Sequence, residues 1–84
     1  MFYVYCINAT DERERFYIGS TNDLRRRLNE HNTNENRSTK NHQWRLVYYE
    51  AYITENAARL REQELKHHGN TKQALMKRIK SSLS

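Results

Sequence analysis

Residues 15–31, Arg15-Phe16-Tyr17-Ile18-Gly19-Ser20-Thr21-Asn22-Asp23-Leu24-Arg25-Arg26-Arg27-Leu28-Asn29-Glu30-His31, constrain the fold more than any other stretch of this chain. Phe16-Tyr17-Ile18 is aromatic and β-branched, which suits a strand. Gly19 marks a tight turn, where a residue without Cβ can turn sharply or let another backbone approach. Thr21 or Asn22 is placed to cap a short helix, with Asp23 favourable in its first turn. At ~100° per residue, Leu24 and Leu28 define the inward side of that helix. His31 falls within roughly 20° of Leu24 and Arg27 within roughly 60°, whereas Arg25 and Arg26 point to solvent. An inward Arg and His beside a strand that ends in tyrosine suggest a site for something anionic. The plainer alternative is that Arg27 pairs with an acidic residue and His31 satisfies a carbonyl.

Phe2-Tyr3-Val4-Tyr5-Cys6-Ile7 reads as a first strand, joined to Phe16-Tyr17-Ile18 through the polar loop 9–15 as a hairpin. Residues 32–43 are polar and asparagine-rich and read as an exposed, mobile loop. Trp44-Arg45-Leu46-Val47-Tyr48-Tyr49-Glu50-Ala51-Tyr52 is a third strand. A second helix opens at Thr54-Glu55-Asn56-Ala57 and runs to about Lys66, with Gly69 as its C-cap. Thr71 caps a third, whose Ala74, Leu75 and Ile79 form a weak apolar side. On the second helix Ala58, Glu62 and Leu65 are spaced i, i+4, i+7, so Glu62 shares the inward face with two apolar residues. An inward carboxylate is costly unless it is paired or binds a cation. It can satisfy Arg27 in a salt bridge, or it can hold a metal.

Eighty-four residues make one small domain, of which 69–84 is a basic C-terminal helix. The net charge of +5 suggests a polyanionic partner, since clustered Lys and Arg release counterions from phosphates. That charge gathers at Arg25 to Arg27, Arg37 to Lys40, and Lys72 to Lys80 rather than spreading evenly. A single Cys6 gives no disulfide framework and points to a buried, inert thiol in a reducing, cytoplasmic setting. No apolar run reaches membrane-spanning length and the N-terminus has no charged signal-peptide start, so no membrane partner is expected. Tyr3, Tyr48 and Tyr49 read as sheet packing, and His42, His67 and His68 as surface residues.

Tyrosines on two strands, an inward Arg and His, and an inward Glu together make a minimal kit for hydrolysing a phosphodiester. A carboxylate-held Mg²⁺ or Mn²⁺ polarises a phosphoryl oxygen, a guanidinium neutralises developing charge, and a tyrosine or histidine takes a proton from water. At this point the chain resembles the GIY-YIG endonuclease superfamily, in particular small stand-alone members related to the nuclease module of nucleotide-excision repair. The resemblance spans about residues 2–68. It rests on Tyr17-Ile18-Gly19, on Ser20 to Leu28 with His31-Asn32, on Ser38-Thr39-Lys40 leading to Trp44-Arg45-Leu46-Val47-Tyr48-Tyr49-Glu50, and on Arg61-Glu62-Gln63-Glu64-Leu65-Lys66. Tyr3-Val4-Tyr5 departs from the family's first tripeptide but keeps its tyrosine.

The resemblance implies an α+β fold, a small three-stranded antiparallel sheet flanked by about three helices. It implies catalytic roles for Tyr5, Tyr17, Arg27, His31 and Glu62. A tyrosine is the general base, Arg27 contacts the scissile phosphate, His31 supports proton transfer or phosphate binding, and Glu62 holds one divalent ion, Mg²⁺ or Mn²⁺. Arg25, Arg26 and Lys40 would contact nucleic acid. The expected partner is duplex or branched DNA, with specificity supplied by DNA shape or by a protein partner, in DNA repair or recombination. The alternatives are a nucleic-acid-binding or accessory module without cleavage and, last, a structural domain with an Arg27–Glu62 salt bridge.

Overall fold

The computed structural model describes residues 1–33 and 42–83. Its elements are β1 (Phe2–Ala9), β2 (Phe16–Thr21), α1 (Leu24–Asn32), β3 (Trp44–Tyr52), α2 (Glu55–His67) and α3 (Gly69–Leu83). They form an α+β domain whose antiparallel sheet has the order β2-β1-β3. Lys40 and the Arg37 to Lys40 cluster lie outside the described residues.

The central strand is buried on both faces, which is why Val4-Tyr5-Cys6-Ile7 is apolar without alternation. Val4, Cys6 and Ile18 face α2 and α3 and pack on Ala58, Leu65, Leu75 and Ile79. Tyr5, Ile7, Ala9 and Trp44 face the other way, against Leu24 and Leu28 of α1. Each fully buried Leu or Ile contributes about 1.5–3 kcal/mol, so the sheet is held from two sides by separate small cores. Cys6 is buried as expected, and burial pushes its thiol up to about 12.

Polar side chains tie the connections. Buried Asn8 donates to the carbonyls of Arg13 and Arg15, both at 3.0 Å, and accepts from Arg45, closing the β1–β2 loop. Asn32 clamps the Trp44 peptide from both sides, donating to its carbonyl at 3.0 Å and accepting from its N–H at 2.6 Å. That clamp makes Asn32 the last residue of α1 rather than the first of a loop.

Three boundaries differ from the sequence reading. The strand does not end at Gly19: β2 continues to Thr21, with Gly19 paired to Tyr5 inside the ladder. Asp23 is itself the N-cap of α1, accepting from the Arg26 N–H, while Thr21 accepts from the Asp23 N–H. The second helix ends at His67 and its C-cap is His68, whose N–H reaches the Glu64 carbonyl, and Gly69 opens α3 instead of closing α2. Ala74 is exposed, so the buried side of α3 is Leu75 and Ile79.

Candidate active site

Tyr5 stands in the middle of β1, directly opposite Gly19. A Cβ at Gly19 would stand 2.5 Å from the Tyr5 hydroxyl and 3.1 Å from Cε1 of Tyr17. Glycine is therefore what lets the Tyr5 ring lie across β2. From α1, the fully buried His31 brings Nε2 to 2.7 Å from the Tyr5 hydroxyl. Arg27 Nε donates to the same oxygen at 3.3 Å. Because Arg27 can only donate, the Tyr5 O–H can donate to His31, an assignment in which Nε2 is the bare nitrogen of a neutral ring.

The electrostatics agree with that assignment. Burial, reinforced by the Arg27 charge, pulls His31 down to about 4. Burial pushes Tyr5 up to about 12, against the opposing pull of the Arg27 hydrogen bond. Arg27 also donates Nη1 to Glu30 at 2.9 Å, and that bond raises its already high pKa. Tyr17 completes the cluster, its ring centroid 4.9 Å from that of His31 and 6.4 Å from that of Tyr5.

Glu62 arrives from the other face of the sheet. Thr54 caps α2 by accepting from the Ala57 N–H. One turn of that helix then grips both edge strands. Arg61 forks onto Glu50 of β3 at 2.9 and 3.1 Å, where Tyr48 and Tyr52 also donate. Glu62, its neighbour, accepts from Ser20 of β2 at 2.5 Å and from Lys66 at 2.6 Å. Burial pushes the Glu62 carboxyl up, but Lys66 and Ser20 outweigh it and hold it below its ordinary value. Lys66 in turn lies over the Tyr17 ring, 5.7 Å from its centroid. Tyr5, His31, Tyr17, Lys66 and Glu62 thus form one chain of contacts wrapped around the β2 edge.

Two grooves meet at Ser20 and Arg59. One, of about 330 Å³, runs between α1 and α2 past Asn22, Arg26 and Arg27. The other, of about 420 Å³, holds Glu62, Lys66 and His67. Both carry more cationic than anionic side chains, which suits a phosphate backbone.

The structure brings Tyr5, Tyr17, Arg27 and His31 into contact and sets Glu62 beside them through Lys66. It does not pair Arg27 with Glu62: Arg27 takes Glu30, and Glu62 takes Ser20 and Lys66. Arg25 and Arg26 are exposed, and Arg26 turns back to Asn22 at the groove. Ser20, Arg59 and Lys66 were not singled out as site residues. Lys66 carried a legible signal, four residues after Glu62 on one helix face. Ser20 and Arg59 carried none, because their place depends on how α2 lies under β2.

Among the described residues no three His, Cys, Asp or Glu side chains converge on one point. A lone carboxylate does fit an ion such as Mg²⁺, which keeps several waters and takes one or two carboxylates plus substrate phosphates. Glu62, with its side chain 20% exposed and a hydroxyl alongside, offers such a hard oxygen donor once Lys66 yields.

The GIY-YIG catalytic domain family matches residues 1–78. A UPF0213 protein of Haloquadratum walsbyi (strain DSM 16790 / HBSQ001) is 36% identical over 72 residues, covering 83% of this chain and 79% of that protein. No solved structure matches.

Proposed function

The chain belongs to the GIY-YIG catalytic domain family, a nuclease superfamily, and on that premise we propose that it is a divalent-metal-dependent endonuclease that hydrolyses DNA phosphodiester bonds by attack of activated water. The observation that supports this most is the contact of Tyr5 with both His31 and Arg27. A phenol whose pKa is raised is a poor base by itself. Hydrogen-bonded to a neutral imidazole, it takes a proton from water at its oxygen while its own proton passes to His31 Nε2. Arg27, already on that oxygen, is placed to meet the charge that develops on the phosphate. Tyr17 backs the His31 ring and orients it.

Glu62, with Ser20 alongside, would hold Mg²⁺ or Mn²⁺. When bound, that ion supplies positive charge for the leaving oxygen. Arg25, Arg26 and Lys40 act on this reading as phosphate contacts that add affinity without reading sequence. A domain of this size has little surface for base readout, so selectivity rests on the shape of duplex or branched DNA, or on a protein partner. A role in DNA repair or recombination follows from such structure specificity, and the free thiol of Cys6 suits the cytoplasm.

One observation favours a second reading, a nucleic-acid-binding module without cleavage. Tyr5 is only 2% exposed, so its side chain is buried away from bulk water. Nicking of supercoiled plasmid and of a labelled branched duplex, with Mg²⁺, Mn²⁺ or EDTA, separates the two. Metal-dependent products from the wild type and none from Glu62→Ala support the nuclease. Salt-sensitive binding without products from either protein supports the module.

A further inference from the structure

Glu62 already holds a cation. Its Oε1 accepts from the Ser20 hydroxyl at 2.5 Å and its Oε2 from Lys66 Nζ at 2.6 Å, so both oxygens are engaged. The pair is written into the helix: Lys66 follows Glu62 by one turn of α2, and a glutamate four residues before a lysine is the favourable order on a helix face. Arg59 lines the same groove but turns to Glu55, at 3.7 Å. Ion pairs at i, i+4 are ordinary on exposed helices, where both partners move in water. This one differs in its surroundings. The carboxylate is mostly buried and tied to β2, the pair faces the groove of about 420 Å³, and the ammonium lies 5.7 Å from the centroid of the Tyr17 ring. Tyr17 in turn stacks near His31. A positive charge is thereby held at the one carboxylate that the site has for a metal.

We propose that Lys66 is a built-in stand-in for the divalent ion: its ammonium fills the cation position at Glu62 in the free protein, and the ion enters by displacing it. The proposal rests on the nuclease reading above, in which Glu62 holds the ion, and adds the residue that sets how readily it does so. Two effects act in the same direction. An incoming ion must break the Glu62–Lys66 pair, and it must then sit near an ammonium of like charge that the helix keeps in the groove. A site built on one carboxylate and waters has little affinity to spare, so this competition weighs heavily on it. The face of the Tyr17 ring gives the displaced ammonium a place to rest within the same groove. Lys66 is on this view a positioning residue, which acts on the reaction through the occupancy of Glu62.

The test titrates Mn²⁺ into the full chain without DNA and follows free Mn²⁺ by its electron paramagnetic resonance signal. Lys66→Gln keeps a good helix former of similar length and removes the charge. It should bind Mn²⁺ about tenfold more tightly than the wild type, because both the competing pair and the repulsion are gone. Lys66→Arg keeps a cation four residues after Glu62 and should bind no more tightly than the wild type. Adding Glu62→Gln to Lys66→Gln should abolish the gain, which assigns it to the Glu62 carboxylate. Equal or weaker Mn²⁺ binding in Lys66→Gln, a gain that Lys66→Arg shares, a gain that survives Glu62→Gln, or no binding by any of these proteins would each overturn the stand-in. A wild type that nicks plasmid while its Mn²⁺ affinity is indifferent to Lys66 would overturn the stand-in and leave the nuclease reading in place. Tighter binding in Lys66→Gln without nicking by any of the proteins would overturn the nuclease reading and leave the stand-in standing.

Discussion

Tyr5 and Gly19 face each other across the β1–β2 ladder, and the Tyr5 ring occupies the space that a Cβ at position 19 would take. The Tyr5 hydroxyl reaches His31 and Arg27 from there. The absence of a side chain at one position of β2 thereby sets the position of the proposed base.

Gly19→Ala therefore tests the site through its backbone support. The new methyl meets the Tyr5 hydroxyl oxygen at 2.5 Å and ring carbon Cζ at 2.8 Å, and the ring is confined by His31 and Tyr17, so overpacking should cost about 1–3 kcal/mol. Nicking should fall by far more than the loss of folded protein explains, because the hydroxyl is pushed off His31. Gly69→Ala is the control. Nothing lies within 4 Å of a Cβ there and the residue opens a helix, so stability should stay level or rise slightly. Urea unfolding of both variants, beside plasmid nicking, checks the pair.

His31 makes a pH prediction whose sign follows from its burial. In the folded protein it takes a proton only near pH 4, whereas in the unfolded chain it does so near 6.5. Between those values the unfolded state binds more protons, so stability is full above about 6.5 and falls as the pH drops toward 4. Urea midpoints of the wild type should decline through that window. His31→Gln, which cannot titrate, should show a shallower decline even if it starts lower. Equal slopes in the two proteins would mean that another group governs acid unfolding.

Arg26 and Arg27 are adjacent, yet the structure assigns them different work. Arg27 donates to the Tyr5 oxygen, while Arg26 is exposed and, among the described residues, its side chain reaches Asn22 and Glu30. Arg27→Ala should lower the nicking rate about 10²–10³-fold. Its stability should move by less than about 1 kcal/mol, since its Glu30 pair is partly solvated. Arg26→Ala should leave the rate at saturating DNA nearly unchanged and weaken binding modestly. It should also reduce the slope of log affinity against log salt by about one unit. A salt titration and a saturation curve for each variant separate these outcomes.

Local features of the fold were legible, and features set by distant packing were not. Counting along α1 put Arg27 and His31 inward because a helix repeats its faces whatever surrounds it, and His31 is fully buried. Strand β3 was legible from its β-branched and aromatic run. The cap of α1 was not, because Thr21, Asn22 and Asp23 can all cap, and the ladder with Tyr3 decides where the strand stops. Gly69 fits the end of one helix as well as the start of the next, and only the chain path settles which. The partnership of Ser20 with Glu62 joins residues 42 apart and depends on the seating of α2 under β2. The exposure of Tyr49, read from sequence as packing, depends on how much of the sheet α1 leaves bare.

The seating of α2 makes the last prediction. Arg61 and Glu62 are consecutive, and they hold opposite edges of the sheet, Glu50 on β3 and Ser20 on β2. Burial pushes the Glu50 carboxyl up, yet Arg61, Tyr48 and Tyr52 together hold it below its ordinary value. Removing Arg61 leaves a charge that two tyrosines alone must satisfy. Arg61→Met should therefore cost about 1–3 kcal/mol, a range set by the partial exposure of the pair. Adding Glu50→Gln to that variant removes the stranded charge and should restore part of the loss, giving a coupling energy of about 1 kcal/mol or more in a double-mutant cycle. Neither residue faces the grooves that hold the proposed site, so the nicking rate should follow the seating of Glu62. It should drop in Arg61→Met and recover in part with the second substitution. If stability recovers in the double variant while nicking does not, Arg61 contributes to the site beyond its grip on Glu50.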